Sequence, residues 1–208
     1  EVFNDAFELN YDSGIYDVSG KIDFDYYPNP AHHIRFGVQH TYHDFNPGLF
    51  SILFRSNTST DINESFGNRR VYSNEFYLYG EDDFELGSRL KINAGLHFSG
   101  FILKDENYTS LQPRLSARYK LSDKIALKAS YASMTQYIHL LTNQGIGLPT
   151  DLWVPSTASI KPQQSFQWAV GIASSIRDQF EVSVEGFYKE MDNVVSFKEG
   201  SSLFILEG

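Results

Sequence analysis

Between Leu111 and Leu121 the sequence alternates so strictly that little freedom remains in how it can fold. Leu111, Pro113, Leu115, Ala117, Tyr119 and Leu121 share one parity, and Gln112, Arg114, Ser116, Arg118 and Lys120 share the other. Successive side chains of a β-strand point to opposite faces, so as a strand this segment has one apolar and one charged face. A helix would scatter the same residues around its cylinder. The length is a second constraint. Globular strands average ~5–6 residues, whereas a tilted strand needs ~9–11 to cross a bilayer.

The pattern recurs along the chain. Ile22, Phe24 and Tyr26 alternate with Lys21, Asp23 and Asp25, and stop at the turn residues Pro28-Asn29-Pro30. Ile34, Phe36 and Val38 follow against Arg35, Gly37 and Gln39. Further strands are expected from Tyr72 to Leu86, Leu90 to Ser99, Ile125 to Ala132, Phe166 to Ile172 and Phe180 to Glu185. Short turns at Gly87-Ser88, Ser122-Asp123 and Arg177-Asp178 alternate with longer connections, of which about 44–70 and about 135–163 are the longest. In an up-and-down meander this puts the tight turns at one end and the long loops at the other, as in an outer-membrane barrel. A Greek-key sandwich has no reason to sort its loops so.

The two faces agree with that reading. One parity carries charges of both signs, Asp23, Arg35, Glu75, Glu81, Lys91, Arg114, Arg118, Lys128 and Glu185 among them, which suits a wet lumen. The other is aliphatic in mid-strand with aromatics towards the ends: Tyr26, Phe84 and Tyr119 near the tight turns, Tyr42, Tyr72 and Tyr131 near the loops. Two such bands are expected at membrane interfaces. A mean hydropathy of −0.33 does not oppose this, because a barrel strand spends half its residues on a polar interior. No apolar run is long enough for a transmembrane helix. A net charge of −9 argues against nucleic-acid binding, and the absence of cysteine excludes disulfides and thiolate metal sites.

Specific segments go further. Tyr108-Thr109-Ser110-Leu111-Gln112-Pro113-Arg114-Leu115, Lys128-Ala129-Ser130-Tyr131, Gln136-Tyr137-Ile138-His139-Leu140-Leu141 and Pro149-Thr150-Asp151-Leu152-Trp153-Val154-Pro155 resemble the barrel of TonB-dependent outer-membrane receptors. The subgroup resembled carries a regulatory-like extension ahead of its plug. The resemblance implies an all-β, antiparallel transmembrane barrel that imports a scarce nutrient (iron chelate, cobalamin or glycan) with energy from TonB. Its partners would be outer-membrane lipid, TonB acting through a plug domain, the nutrient, and a surface lipoprotein. With room for about nine or ten strands and no plug or TonB-box segment, residues 1–208 are expected to be an internal segment of one barrel domain.

Candidate residues are few. Asp151 and Trp153, in a long loop, combine an acceptor with a stacking surface for sugars or flat chelates. A Pro-bounded loop folding over itself on the rim is the simpler account of the same residues, and is preferred. Arg114, Arg118, Lys128 and Glu75 are assigned to the lumen face. The two arginines could hold a plug or an anionic substrate, but pairing with Asp or Glu on neighbouring strands is the expectation. His40 and His43 differ in parity, so a regular strand sends them to opposite faces and no metal site is expected. No catalytic motif occurs, and neither enzymatic activity nor a cofactor is expected. Two rivals remain: a non-transport barrel such as an adhesin or structural protein, and a soluble β-sheet binding domain. The latter would have to cover a large apolar face.

Overall fold

The structure, a computed structural model, describes residues 6–55, 62–67, 70–141, 152–176 and 179–196. The strands are β1 (Ala6–Asn29), β2 (His32–Arg55), β3 (Ile62–Gly67), β4 (Val71–Leu86), β5 (Leu90–Ile102), β6 (Asn107–Lys120), β7 (Ile125–Gln136), β8 (Ile138–Leu141), β9 (Leu152–Pro155), β10 (Gln163–Ile176) and β11 (Phe180–Asp192). A nine-stranded sheet runs β1-β2-β4-β5-β6-β7-β10-β11, with β3 beside the far end of β2, and β8 and β9 form a separate pair. All pairings are antiparallel and the sheet is open, with β1 and β11 at its edges. No helix occurs among the described residues.

Alternation decides the register. Tyr26 faces Ile34, Phe36 faces Gly80, Leu96 faces Pro113 and Leu115 faces Tyr131, so apolar parities align across neighbouring strands. A one-residue slip would send every such side chain to the wrong face. Gly87 closes the β4–β5 turn at φ 64°, a region open to glycine and strained for most other residues. Pro113 interrupts one ladder. Pairing of β6 with β7 starts at Arg114↔Ala132 and does not continue past the proline, which has no N–H to donate. Beyond it the Ser110 and Thr135 hydroxyls bond at 2.7 Å and hold the two strands together.

Burial is inverted relative to a soluble protein. The polar face and the segment folded over it hold the buried residues: Thr41, His43, Ser73, Glu75, Ser99 and Gln112, with Phe45, Phe101 and Tyr137. The opposite face exposes Leu78 at 59%, Leu111 at 59%, Leu115 at 50%, Val170 at 65% and Val184 at 65%. Burying one such side chain is worth ~1.5–3 kcal/mol, so a sheet leaving rows of them open would not be stable facing water. Facing hydrocarbon, it incurs no such cost.

Two expectations about connections need correcting. The span 44–70 is not one long loop: residues 44–55 continue β2, paired with β1 from Asp12↔Leu49 to Ala6↔Arg55. The turn-like Asn46-Pro47-Gly48 is absorbed as a register shift opposite Asp12 and Gly14, with Gly48 at φ 134°. A bulge accepts a residue that cannot join the ladder. At ~3.3 Å per residue, a strand of this length reaches far beyond the ~25 Å apolar band of a barrel. The segment 135–163 likewise contains the end of β7 and the β8–β9 pair. The connection after β5 is short, 103–106, with the Leu103 N–H bonded to the Glu106 carbonyl at 2.8 Å. The strand β11 ends at Asp192, and the turn residues Arg177 and Asp178 lie outside the described residues.

Candidate functional site

The polar face converges on Glu75, in the first third of β4. Odd-numbered residues of β1, β2, β4 and β5 share this face, which brings Asp17, His43 and Ser73 into one row beside Ser19, Thr41 and Glu75. His43 is 3% exposed and sits between two carboxylates, its Nδ1 2.7 Å from Asp17 and its Nε2 3.1 Å from Glu75. Both ring nitrogens meeting acceptors suits the imidazolium, which donates from both. The Tyr77 hydroxyl donates to the other oxygen of Glu75. Buried charge is tolerated only when its hydrogen-bonding capacity is met, and this cluster meets it. His40, three residues earlier, points to the apolar face, where it stacks on Phe76 and bonds Asn74 at 3.0 Å. The two histidines thus take opposite faces, and no cluster of metal-ligating side chains occurs among the described residues.

A second node lies across β5 and β6. Ser99, fully buried, meets the Tyr137 hydroxyl at 2.8 Å and accepts a 2.8 Å bond from the Gln112 amide. The Tyr137 ring stacks on Phe101, 5.1 Å between centroids. Tyr137 thereby pins the segment that leads into β8. The same segment is tied at its far end, where the Ser156 N–H donates to the Tyr137 carbonyl at 2.7 Å and the Tyr108 hydroxyl donates to the Thr157 carbonyl at 2.8 Å. His139 bonds Ser156 at 3.2 Å. Burial holds its imidazole below the ordinary histidine value and pushes the Tyr137 phenol above the ordinary tyrosine value.

Between these nodes opens a cavity of about 530 Å³, bordered by Glu75, Tyr77, His97, Gln112, Arg114 and Lys189. That volume lies in the range of small-molecule sites. The Nδ1 atom of His97 is buried there without a partner. Ligand donors and acceptors would meet a carboxylate, a guanidinium and an imidazole within one wall.

Of the residues singled out in the sequence, Glu75 and Arg114 border this cavity. Arg118 and Lys128 stand on the same face nearer the tight turns, directly opposite each other. The expected pairing of the arginines with acidic neighbours is not seen: among the described residues neither Arg114 nor Arg118 has a carboxylate in ion-pair range. The acids of β4 are two strands from β6 and already engaged, Glu81 and Asp83 with Arg35 at 2.7 and 3.2 Å. Trp153, on β9 opposite Leu140, is 38% exposed and beyond the residues that border the cavity, and Asp151 lies outside the described residues. Sequence reasoning missed Tyr77, Gln112 and Tyr137 as site residues. His97 and Ser99 share a parity, but that signal selects nothing without knowing that Tyr137 folds back onto them.

A family model described as "TonB dependent receptor-like, beta-barrel" matches residues 2–204. The chain belongs to this family. A sheet with one polar and one apolar face accords with one wall of such a barrel. Among solved structures, the ferric-catecholate import receptor Fiu of E. coli K12 superposes with a TM-score of 0.56 at 13% identity, over 93% of this chain and 33% of that one. The RagAB peptide transporter gives a TM-score of 0.55 at 10% identity, over 89% and 24%. The chain spans about a quarter to a third of the length of these receptors, and at such identities the likeness shows the fold alone. No curated protein sequence matches the chain significantly.

Proposed function

We propose that residues 1–208 form part of the barrel of a TonB-dependent receptor in the outer membrane of a Gram-negative cell, importing a scarce nutrient with energy from TonB. The observation that carries this is the inverted burial: a polar, cavity-bearing wall on one side and open aliphatic rows on the other. The family match supports it, as do neighbours that import a ferric catecholate and transport peptides. The cargo is an iron chelate, cobalamin or glycan. It is bound by Trp153 and Asp151, then by Glu75, Arg114, Arg118 and Lys128 along the lumen. A plug domain relays TonB, and a surface lipoprotein assists capture. The protein acts as a transporter, without a cofactor and without catalysing a reaction.

Deleting the gene in its host and scoring growth on single sources of iron chelate, cobalamin or glycan tests this reading. Loss of growth on one class, reproduced by deleting TonB, supports it. Normal uptake of all three, with a defect in adhesion or envelope integrity instead, would place the chain in a non-transport barrel.

A further inference from the structure

The two halves of the lumen wall treat charge differently. On the β1–β4 side the cations of the described side chains have acids: Lys21 meets Asp23 at 2.8 Å, Arg35 bridges Glu81 and Asp83, and Arg70 meets Asp44 at 2.8 Å. Across β5, β6 and β7, Lys91, Arg118 and Lys128 stand in one register row, three like charges on adjacent strands. Strands lie ~4.8 Å apart, and like charges directly opposite destabilise a sheet. Lys91 has only the loose contact to Glu85 at 3.7 Å. Among the described residues, no carboxylate lies in ion-pair range of Arg118, Lys120, Lys124 or Lys128. An acidic chain with a net charge of −9 has concentrated cations here and left them unmatched.

The row borders a hollow. A cavity of about 510 Å³ at the tight-turn end is edged by Arg118, Lys120, Lys124 and Lys128, with Ser175 and Ser183 adding hydroxyls from the β10 and β11 side. Asp123 and Glu181 also reach its edge, leaving four cations against two carboxylates. A second cavity of about 270 Å³ shares Arg118 and Lys128 and extends to Lys91. Gly171, in register with Lys128, adds no side chain over that space, and Asp83 and Glu185 border it from either side. A guanidinium offers a planar fork to oxyanions, and the ammonium groups add mobile point charges.

We propose that this cavity is a binding site for a small multivalent oxyanion, phosphate- or carboxylate-bearing, held by Arg118, Lys120, Lys124 and Lys128 and distinct from the cavity around Glu75. The bound anion supplies the negative charge that the row lacks, so binding and sheet stability are coupled. The site does not depend on what the receptor imports.

The test is calorimetric titration of the protein, extracted from membranes in mild detergent, with pyrophosphate in one arm and citrate in the other. Saturable binding of either at one site per chain, weakened at least tenfold in R118Q/K128Q and unchanged in K104Q, is expected, and the tighter arm identifies the anion class. Persistence of that binding against chloride at matched ionic strength is also expected. Lys128→Glu guards against a folding artefact: it gives Arg118 a cross-strand acid, and should abolish binding while raising the unfolding temperature. No saturable binding in either arm, binding unaffected by R118Q/K128Q, or binding erased by matched chloride overturns the proposal, as does a Lys128→Glu protein that still binds.

Discussion

Arg114 and Leu115 are adjacent in the chain, yet each belongs to a surface governed by different physics. Leu115 joins Leu111, Leu78 and Val184 on a face where nothing polar is needed and nothing covers the side chains. Arg114 joins Glu75, His97 and Gln112 on a face where polar groups are buried and mostly bonded. In a soluble sheet the apolar face would be the dry one and the polar face the wet one. Here the buried centre is polar, and the open surface is aliphatic with Tyr42–Tyr72 and Tyr131–Trp168 ring pairs on it. Set in lipid, as the proposed function has it, the solvent rule is reversed, and that reversal alone accounts for the difference between the faces.

The sharpest break of this contrast is a charge on the wrong face. Leu115→Arg puts a cation towards hydrocarbon at a cost of ~2–4 kcal/mol near mid-membrane. Ser116→Arg puts the same cation in the lumen. The first should show a large loss of the folded, heat-modifiable band on gels and the second almost none; equal losses would deny that the faces differ. Next in size is Glu75→Leu, which strips His43 and Tyr77 of a buried acceptor. Unsatisfied buried donors cost ~1–3 kcal/mol, to be read as a lowered urea midpoint in detergent, with Glu81→Leu, half-buried and paired with Arg35, as the milder comparison.

Two smaller effects probe the segment folded over the lumen. Tyr137→Phe keeps the stack on Phe101 and removes the hydroxyl bonded to Ser99. A loss of ~0.5–1.5 kcal/mol in docking is expected, seen as faster hydrogen exchange in 138–141 and 152–155 with the barrel strands unchanged. The smallest effect is that of pH. His139 titrates below its ordinary value of 6.5 when docked, so the undocked state binds more protons as pH falls. Docking should be complete above 6.5 and weaken as pH drops through and below it, giving easier proteolysis of the segment about one unit below 6.5 than about one unit above. An unchanged profile, or one shared by His139→Gln, would remove His139 from the account.

Much of the contrast could be read from residue order. Parity alone assigned Leu115 and Arg114, separated His40 from His43, and set the order of the hairpins, because period-2 patterning and strand pairing are local. What escaped was non-local. Asn46-Pro47-Gly48 looks like a turn, and only its partner Asp12–Gly14 reveals a bulge within a continuing strand. Tyr137 looks like one more loop aromatic until Ser99 and Phe101, far back in the chain, are placed beneath it. The unpaired state of Arg114 and Arg118 escaped for a similar reason. The acids on the same face were visible in the sequence, but register gave them to Arg35.

The most direct check of the two-faced sheet is tryptophan fluorescence in bilayers of brominated lipid, with probes at Leu115→Trp and Arg114→Trp in a background whose native Trp153 and Trp168 are replaced by Phe. Strong quenching at 115 with little at 114 is the predicted result. Comparable quenching at both positions, or none at either, would contradict a sheet with one face in lipid and the other in the lumen.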